Sequence, residues 1–148
     1  MLSAYIYGPS YLSFEYALSY HNLIPERVDN YTNATFNKNK RKNYHNKFGT
    51  YLYRDVPKKA YPYFVKAFTH ETYSYFIANP EKALCDMLYI LPPTRSMKEF
   101  KELLFLNLRI NEAVFKELNF DDILFLNEKY KSTNVRQLVN LIESEYLL

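Results

Sequence analysis

The fold is decided by the stretch Asn79-Pro-Glu-Lys-Ala-Leu-Cys-Asp-Met-Leu-Tyr-Ile-Leu-Pro-Pro93. It begins with a strong helix start, because Asn79 can cap free amides, Pro80 suits the first helical position and Glu81 favours the positive end of the helix dipole. We predict a helix to about Ile90 that the two prolines end. Its apolar residues fall on one stripe that should face the core, namely Ala83, Leu84, Met87, Leu88 and Leu91.

The residue composition and the predicted secondary structure change at this helix. Up to residue 78, short runs of Tyr, Phe, Thr and Val favour strands at residues 4–7, 31–36, 44–48, 50–56, 61–68 and 72–77, with one early helix over 14–21 that Ser13 should cap. Beyond it, a capping box at Ser96-x-x-Glu99 and helix starts near Asn111, Asp121 and Thr133 predict a helical cluster. We predict a single α+β domain over 1–148, with a mixed or antiparallel sheet of about five strands in 1–78 and helices in 79–148.

The composition is that of a folded protein with a sizeable core. The chain has 148 residues, 48% of them hydrophobic, with 16 tyrosines, 11 phenylalanines and only 2 glycines. A single cysteine cannot form an internal disulfide, which favours a reducing compartment. No apolar run reaches the roughly 18 residues of a membrane span, and the start of the chain is unlike a signal peptide. We expect a cytoplasmic protein with no membrane partner.

Positive charge is concentrated in one segment. The net charge is +3, yet residues 30–54 hold six cations and no acid. Two readings of this segment stay open. It could bind nucleic acid, with aromatic rings at Tyr44, His45 and Phe48 for stacking, or it could be a solvated strand edge. The candidate phosphate-binding residues are Lys38, Lys40, Arg41, Lys42 and Lys47.

Little in the sequence points to catalysis. The three histidines, His21, His45 and His70, lie in separate segments without a second metal ligand at suitable spacing. Two glycines 41 positions apart cannot form a phosphate-binding loop. Cys85 lies on the predicted buried stripe, where thiols are usually inert. We therefore predict no cofactor, no metal and no enzymatic activity; a metal-dependent nuclease using Glu99 ranks third among the functions considered.

Two stretches carry a family resemblance. The first stretch is Tyr7-Gly-Pro-Ser-Tyr-Leu-Ser-Phe-Glu-Tyr-Ala-Leu-Ser-Tyr-His-Asn-Leu-Ile-Pro-Glu26, and the second stretch is Phe76-Ile-Ala-Asn-Pro-Glu-Lys-Ala-Leu-Cys-Asp-Met-Leu-Tyr89. Together, and in this order, they resemble the C-terminal domain of AbiEi-type antitoxins of bacterial abortive-infection systems. The resemblance covers roughly residues 4–91. In the C-terminal tail it is limited to the type of secondary structure, which is helical.

The resemblance implies an antitoxin of a bacterial toxin–antitoxin or phage-defence system. Such a protein counteracts a nucleotidyltransferase toxin encoded nearby, without needing a stable complex with it. The family usually carries an N-terminal winged helix-turn-helix, for which this sequence shows no counterpart. Three alternatives follow: a stand-alone antitoxin domain, a fragment of a longer protein, or a partner of a separate DNA-binding chain. Glu15, Lys82 and Asp86 match the family at helical positions that do not themselves require polar residues, and we predict a functional or network role for them. The alternative function is a nucleic-acid-binding transcriptional regulator that uses residues 38–47.

Overall fold

A mixed sheet forms the N-terminal half of an α+β fold, in a computed structural model that describes residues 8–70 and 73–147. The described strands lie in the order β3-β4-β2-β1-β6-β5. Three pairs are antiparallel (β3–β4, β1–β2 and β5–β6) and two are parallel (β2–β4 and β1–β6). The predicted α+β class is confirmed. The strands are β1 (Tyr11–Leu12), β2 (Tyr31–Thr35), β3 (Lys42–Asn46), β4 (Gly49–Asp55), β5 (Val65–His70) and β6 (Tyr73–Ala78).

The β3–β4 hairpin confirms the predicted strand, turn and strand, with its first strand shifted toward the N-terminus. Gly49 opens β4 at φ +144°, a backbone conformation that favours glycine, and a Cβ there would lie 3.1 Å from the Tyr31 ring. The turn itself is made by Lys47 and Phe48, and the Phe48 amide donates to Asn46 Oδ1 at 2.8 Å. The sequence predicted that these two residues end the first strand, whereas in the structure they form the turn between β3 and β4.

Two other strand predictions differ from the structure. The two-residue strand β1 was not predicted, because two residues show no periodicity; it nonetheless joins β2 to β6. The strand predicted over 61–68 begins only at Val65, since the preceding segment forms turns in which Tyr61 donates to the Pro57 carbonyl and Phe64 has φ +57°. The candidate strand at 4–7 lies outside the described residues.

The helices confirm most of the predicted starts. The side chains of Ser96, Asn111, Asn119 and Ser132 each accept a hydrogen bond from a backbone amide of the helix that follows. In the described part of the chain, no helix has both the length and the apolar character needed to cross a membrane. The helices are α1 (Phe14–Tyr20), α2 (Pro80–Ile90), α3 (Met97–Lys101), α4 (Glu112–Lys116), α5 (Phe120–Tyr130) and α6 (Thr133–Glu145), and a π-helical turn, Glu102–Asn107, extends α3.

Helix α2 is the centre of the molecule. It packs against α1, α5, α6 and β6, and every residue from Glu81 to Leu88 is buried. The predicted apolar stripe is therefore only part of its buried surface, because polar side chains are buried on the same helix. Cys85 is fully buried, and burial raises the pKa of its thiol, which keeps the thiol protonated.

Asn134 holds the end of α2 against α6. Its Nδ2 donates to the carbonyls of Leu88 at 3.1 Å, Leu91 at 3.3 Å and Pro92 at 3.0 Å. Its Oδ1 accepts from the amide and the hydroxyl of Thr94, each at 2.9 Å. One buried amide thus satisfies the carbonyls that a helix end leaves free.

We expect Asn134→Ala to lower the free energy of unfolding by about 2–3 kcal/mol, because it leaves several buried polar groups unpaired. Urea unfolding followed by circular dichroism measures this change. Asn140→Ala is the matched control, since Asn140 is exposed on the same helix and should shift stability by less than about 0.5 kcal/mol. Equal effects of the two substitutions would contradict the assigned role of Asn134.

His21 links the end of α1 to the end of β6. Its Nε2 lies 2.7 Å from the Ala78 carbonyl oxygen, so the neutral ring donates through Nε2–H. Partial burial lowers the pKa of His21, and this outweighs the hydrogen bond to Ala78, which raises it. Between the folded and unfolded pKa values the unfolded chain binds more protons, so stability falls as the pH falls through this range.

We expect the stability contribution of His21 to be complete above about pH 6.5 and to be lost at lower pH, by less than about 1.4 kcal/mol per pH unit. His21→Gln keeps a donor for Ala78 and should remove this part of the pH dependence. Urea unfolding of both proteins at several pH values between about 5 and 7.5 tests it. Identical slopes in the two proteins would contradict the assignment.

Candidate functional site

A buried ion pair lies in the middle of α2. Lys82 Nζ is 3.4 Å from Asp86 Oδ1, one helical turn along, and both side chains are 0% exposed. Lys82 also donates to the Ala60 carbonyl at 2.6 Å. Its ammonium lies over the rings of Tyr11 and Tyr130, at 5.2 and 5.4 Å from their centroids. The pair is therefore enclosed by aromatic rings and a backbone carbonyl.

Three hydroxyl groups complete the coordination of the Asp86 carboxylate. Tyr11 and Ser13 both donate to Oδ2 at 2.7 Å, and Tyr130 donates to Oδ1. Hydrogen bonds to an ionised group are roughly twice as strong as neutral ones, which offsets part of the cost of burying the charge. We call these five residues, Tyr11, Ser13, Lys82, Asp86 and Tyr130, the polar network.

Burial shifts the pKa values of three residues of the polar network, Lys82, Tyr11 and Tyr130. Burial lowers the pKa of Lys82, and the nearby Asp86 carboxylate opposes that shift. For Tyr11 and Tyr130, burial raises the pKa well above its ordinary value, and Asp86 raises it further. Both phenols therefore remain protonated donors across the physiological range.

The position of Ser13 corrects a sequence prediction. Ser13 does precede α1, but its side chain makes no capping bond, because its hydroxyl is directed to Asp86 instead. Asn79 likewise precedes α2 without a side-chain capping bond, and its carbonyl accepts from the Ala83 amide at 2.8 Å. Glu81, predicted to act through the helix dipole, also accepts from the Asn119 amide at 2.9 Å and so ties α2 to the start of α5.

Glu15 takes a different place from Lys82 and Asp86. It lies on α1 and forms a two-pronged ion pair with Arg54 of β4, at 2.9 and 3.3 Å. Arg54 also lies over the Phe14 ring, 5.3 Å from its centroid. Of the three predicted polar residues, the structure thus brings two together in the polar network and places Glu15 outside it. A functional role for any of them stays a prediction.

A cleft of about 360 Å³ adjoins the polar network. Ser10 and Tyr11 of the first stretch line it, as does Phe76 of the second stretch, together with Pro9, Tyr61, Pro62 and Val65. The Ser10 hydroxyl is buried and has no hydrogen-bond partner among the described residues, and the Phe76 side chain is 46% exposed. Since the Tyr11 hydroxyl is held by Asp86, one wall of the cleft is anchored in the polar network.

The basic segment lies at the other end of the sheet. We call residues 38–48 the basic edge; β3 within it is the terminal strand of the sheet, as the strand-edge reading of the sequence expects. Lys40, Arg41 and Lys47 are exposed and Lys42 is half-buried. Lys38 is half-buried as well, and its Nζ reaches the Gly8 carbonyl at 3.4 Å. The structure therefore gathers the five predicted cations along one edge.

Asp55 fixes the loop that leads into the basic edge. Its Oδ2 accepts from the amides of Lys38 at 2.9 Å and Asn39 at 2.7 Å, and its Oδ1 accepts from the Thr35 hydroxyl at 2.7 Å. Asn37 and Asn39 take positive φ values of 55° and 60°, which asparagine tolerates better than most residues. The loop amides that Asp55 binds follow no sequence motif, so the sequence alone does not predict this contact.

No grouping of metal ligands occurs within residues 8–70 and 73–147, where no three His, Cys, Asp or Glu side chains lie close enough to hold an ion. Glu99, the nuclease candidate, lies in the first turn of α3, and its amide donates to Ser96 Oγ at 3.1 Å. Its side chain is exposed.

No family model, no curated protein and no solved structure matches the chain.

We expect Lys82→Met to lower the free energy of unfolding by about 3–5 kcal/mol, because it leaves the Asp86 carboxylate buried without its counter-ion. Lys116→Met is the matched control. Lys116 also pairs with an acid one turn away, Glu112, but both side chains are largely exposed, so the change should be below about 0.5 kcal/mol.

The double variant Lys82→Met with Asp86→Asn tests the coupling of the pair. Its loss of stability in urea unfolding should be smaller than the sum of the single losses by more than about 1 kcal/mol. Additive losses would show that the two charges do not depend on each other.

Proposed function

We propose that this chain is an antitoxin-like protein of a bacterial toxin–antitoxin or phage-defence system, and that it counteracts a nucleotidyltransferase toxin. One observation carries the proposal: the two stretches that resemble AbiEi-type antitoxins are bonded to each other inside the protein. Tyr11 and Ser13 of the first stretch both donate to Asp86 of the second.

This contact joins the two stretches into one structural unit. The bonded residues are 75 and 73 positions apart, so neither stretch can form the contact alone. A chain that shares both stretches in the same order has the means to build the same buried unit. The contact therefore supports treating the two stretches as one structural unit, to which the resemblance applies as a whole.

The polar network supports a non-catalytic action. Its acid, its amine and its three hydroxyls are bonded to one another, and its two phenols remain protonated, so the network offers no free acid or base to a substrate. The cleft is an accessible surface to which both stretches contribute, through Ser10 and Phe76. We place the antitoxin action at this cleft and in the cytoplasm, where a single reduced cysteine is expected.

Co-expression tests the proposed function. If the adjacent reading frame encodes a nucleotidyltransferase, cells that express that frame should regain growth when the 148-residue chain is supplied from a second promoter. Phe76→Ala should lose at least about ten-fold in colony recovery, because truncation of a ring at a contact surface costs more than about 1.4 kcal/mol at a binding hot spot.

Phe48→Ala is the matched control for this assay. Phe48 is also an exposed phenylalanine, but it lies in the β3–β4 turn, outside both stretches, and its loss should leave the recovery of growth unchanged. Continued toxicity despite folded wild-type protein would overturn the antitoxin proposal. Equal recovery with both variants would overturn the placement at the cleft.

The basic edge favours a second candidate function, a nucleic-acid-binding transcriptional regulator. Neutralisation of Lys40, Arg41 and Lys42 separates the two functions in the same assay. An antitoxin that acts through the cleft keeps its rescue of growth, whereas a regulator loses its effect together with its binding to nucleic acid.

A further inference from the structure

We propose that the basic edge binds single-stranded nucleic acid, with phosphates on Lys40, Arg41 and Lys42 and an unpaired base stacked on Phe48. This inference deepens the second candidate function and does not depend on antitoxin activity. The basic edge shares no residue with the cleft or with the polar network, so the two activities can be lost separately.

Uncompensated positive charge is the first argument. Lys40, Arg41, Lys42 and Lys47 take part in none of the ion pairs of the described residues. The neighbouring acids are already bonded: Asp55 to the loop amides and the Thr35 hydroxyl, as described above, and Glu15 to Arg54. Within residues 8–70 and 73–147 these cations therefore have no competing carboxylate, which leaves them available to phosphate.

The exposed ring of Phe48 is the second argument. Its side chain is 59% exposed at the turn between β3 and β4, which is a costly position for a large apolar ring. Its backbone is fixed by the hydrogen bond from its amide to Asn46, and Lys47 Nζ lies 5.1 Å from the ring centroid. An exposed aromatic ring with a cation close to it is the combination that base stacking next to a phosphate uses.

The spacing along β3 suits an extended chain. Lys42 and Asn46 begin and end the strand, and four steps of about 3.3 Å place them about 13 Å apart. The phosphate contacts and the stacking ring therefore lie at the two ends of one short strand. A flexible single strand of a few nucleotides can extend along β3 from the phosphate contacts to the Phe48 ring.

The same arrangement discriminates against a duplex. In double-stranded nucleic acid the faces of the bases are covered by their neighbours, so Phe48 would gain no stacking partner. A duplex would use the phosphate contacts alone, which are sensitive to salt and independent of sequence. We therefore expect a preference for unpaired strands.

Fluorescence anisotropy with a labelled oligo-dT of about 12 nucleotides, and with a duplex of the same length, tests the proposal. At equal salt, the wild-type protein should bind the single strand at least about ten-fold more tightly than the duplex. Phe48→Ala should weaken single-strand binding about ten-fold and leave its salt dependence unchanged.

Two further variants complete the design. The triple variant Lys40→Gln, Arg41→Gln and Lys42→Gln should reduce the slope of log affinity against log salt by about 2, since each lost phosphate contact on a single strand contributes about 0.7. Phe76→Ala, the exposed phenylalanine of the cleft, should bind as the wild type does. Thermal unfolding of each variant shows that it is folded.

The outcomes separate the two proposals for this edge. Equal affinity for single strand and duplex, with no effect of Phe48→Ala, would overturn the single-strand site and leave a purely electrostatic surface. Absence of binding to either probe by the wild-type protein would overturn both the site and the regulator function. Neither result bears on the antitoxin proposal, which places the rescue of growth at the cleft with Phe76 and not at Phe48.

Discussion

Burial of the Lys82–Asp86 ion pair is the constraint on which the other parts of the fold depend. Taking two charges out of water costs several kcal/mol for each ion, and their mutual attraction compensates only if the remaining polar atoms are bonded as well. Those bonds come from β1, from the residue before α1, from the turn at Ala60 and from the end of α5. Three segments distant in sequence, namely residues 11–13, the turn at Ala60 and the end of α5, must therefore meet at α2 before either charge can be buried. This requirement disfavours arrangements that place any of them elsewhere.

The ends of the same helix are fixed by further long-range polar bonds. Glu81 near the start of α2 accepts from the Asn119 amide ahead of α5, and Asn134 of α6 satisfies the carbonyls at its end. Apolar packing alone would bury α2 but would tolerate rotation about its axis and sliding along it. The polar network, the bond from Asn119 to Glu81 and the bonds of Asn134 fix both the rotation of α2 and its position along its axis. Helix α2 thus sets the positions of the C-terminal helices relative to the sheet.

Local signals predicted local structure. The capping motifs gave the starts of α3 to α6, and the prolines and Asn79 framed α2, because these patterns act within a few residues. Partners remote in sequence were not predictable. Ser13 was assigned to its own helix, since an N-cap is the local use of a serine, whereas Asp86 competes for it from 73 positions away. For the candidate site, the sequence predicted which polar residues were unusual, namely Lys82 and Asp86, but not their partners. It also identified the cations of the basic edge, but not the loop that Asp55 holds.

Two of the three polar residues that carry the resemblance, Lys82 and Asp86, are buried and are bonded within the protein. Lys82 and Asp86 have no exposed surface, so a partner molecule can sense them only through what they support. Surface chemistry must then come from residues that the buried unit positions, and the sheet separates these into two places. The cleft lies where β1, β6 and β5 adjoin, and the basic edge lies at β3, the opposite end of the strand order. Four of the seven residues that line the cleft, Pro9, Ser10, Tyr11 and Phe76, belong to the two stretches, whereas the basic edge lies between the stretches in sequence. The cleft and the basic edge share no residue, so a ligand bound at one of them leaves the other accessible.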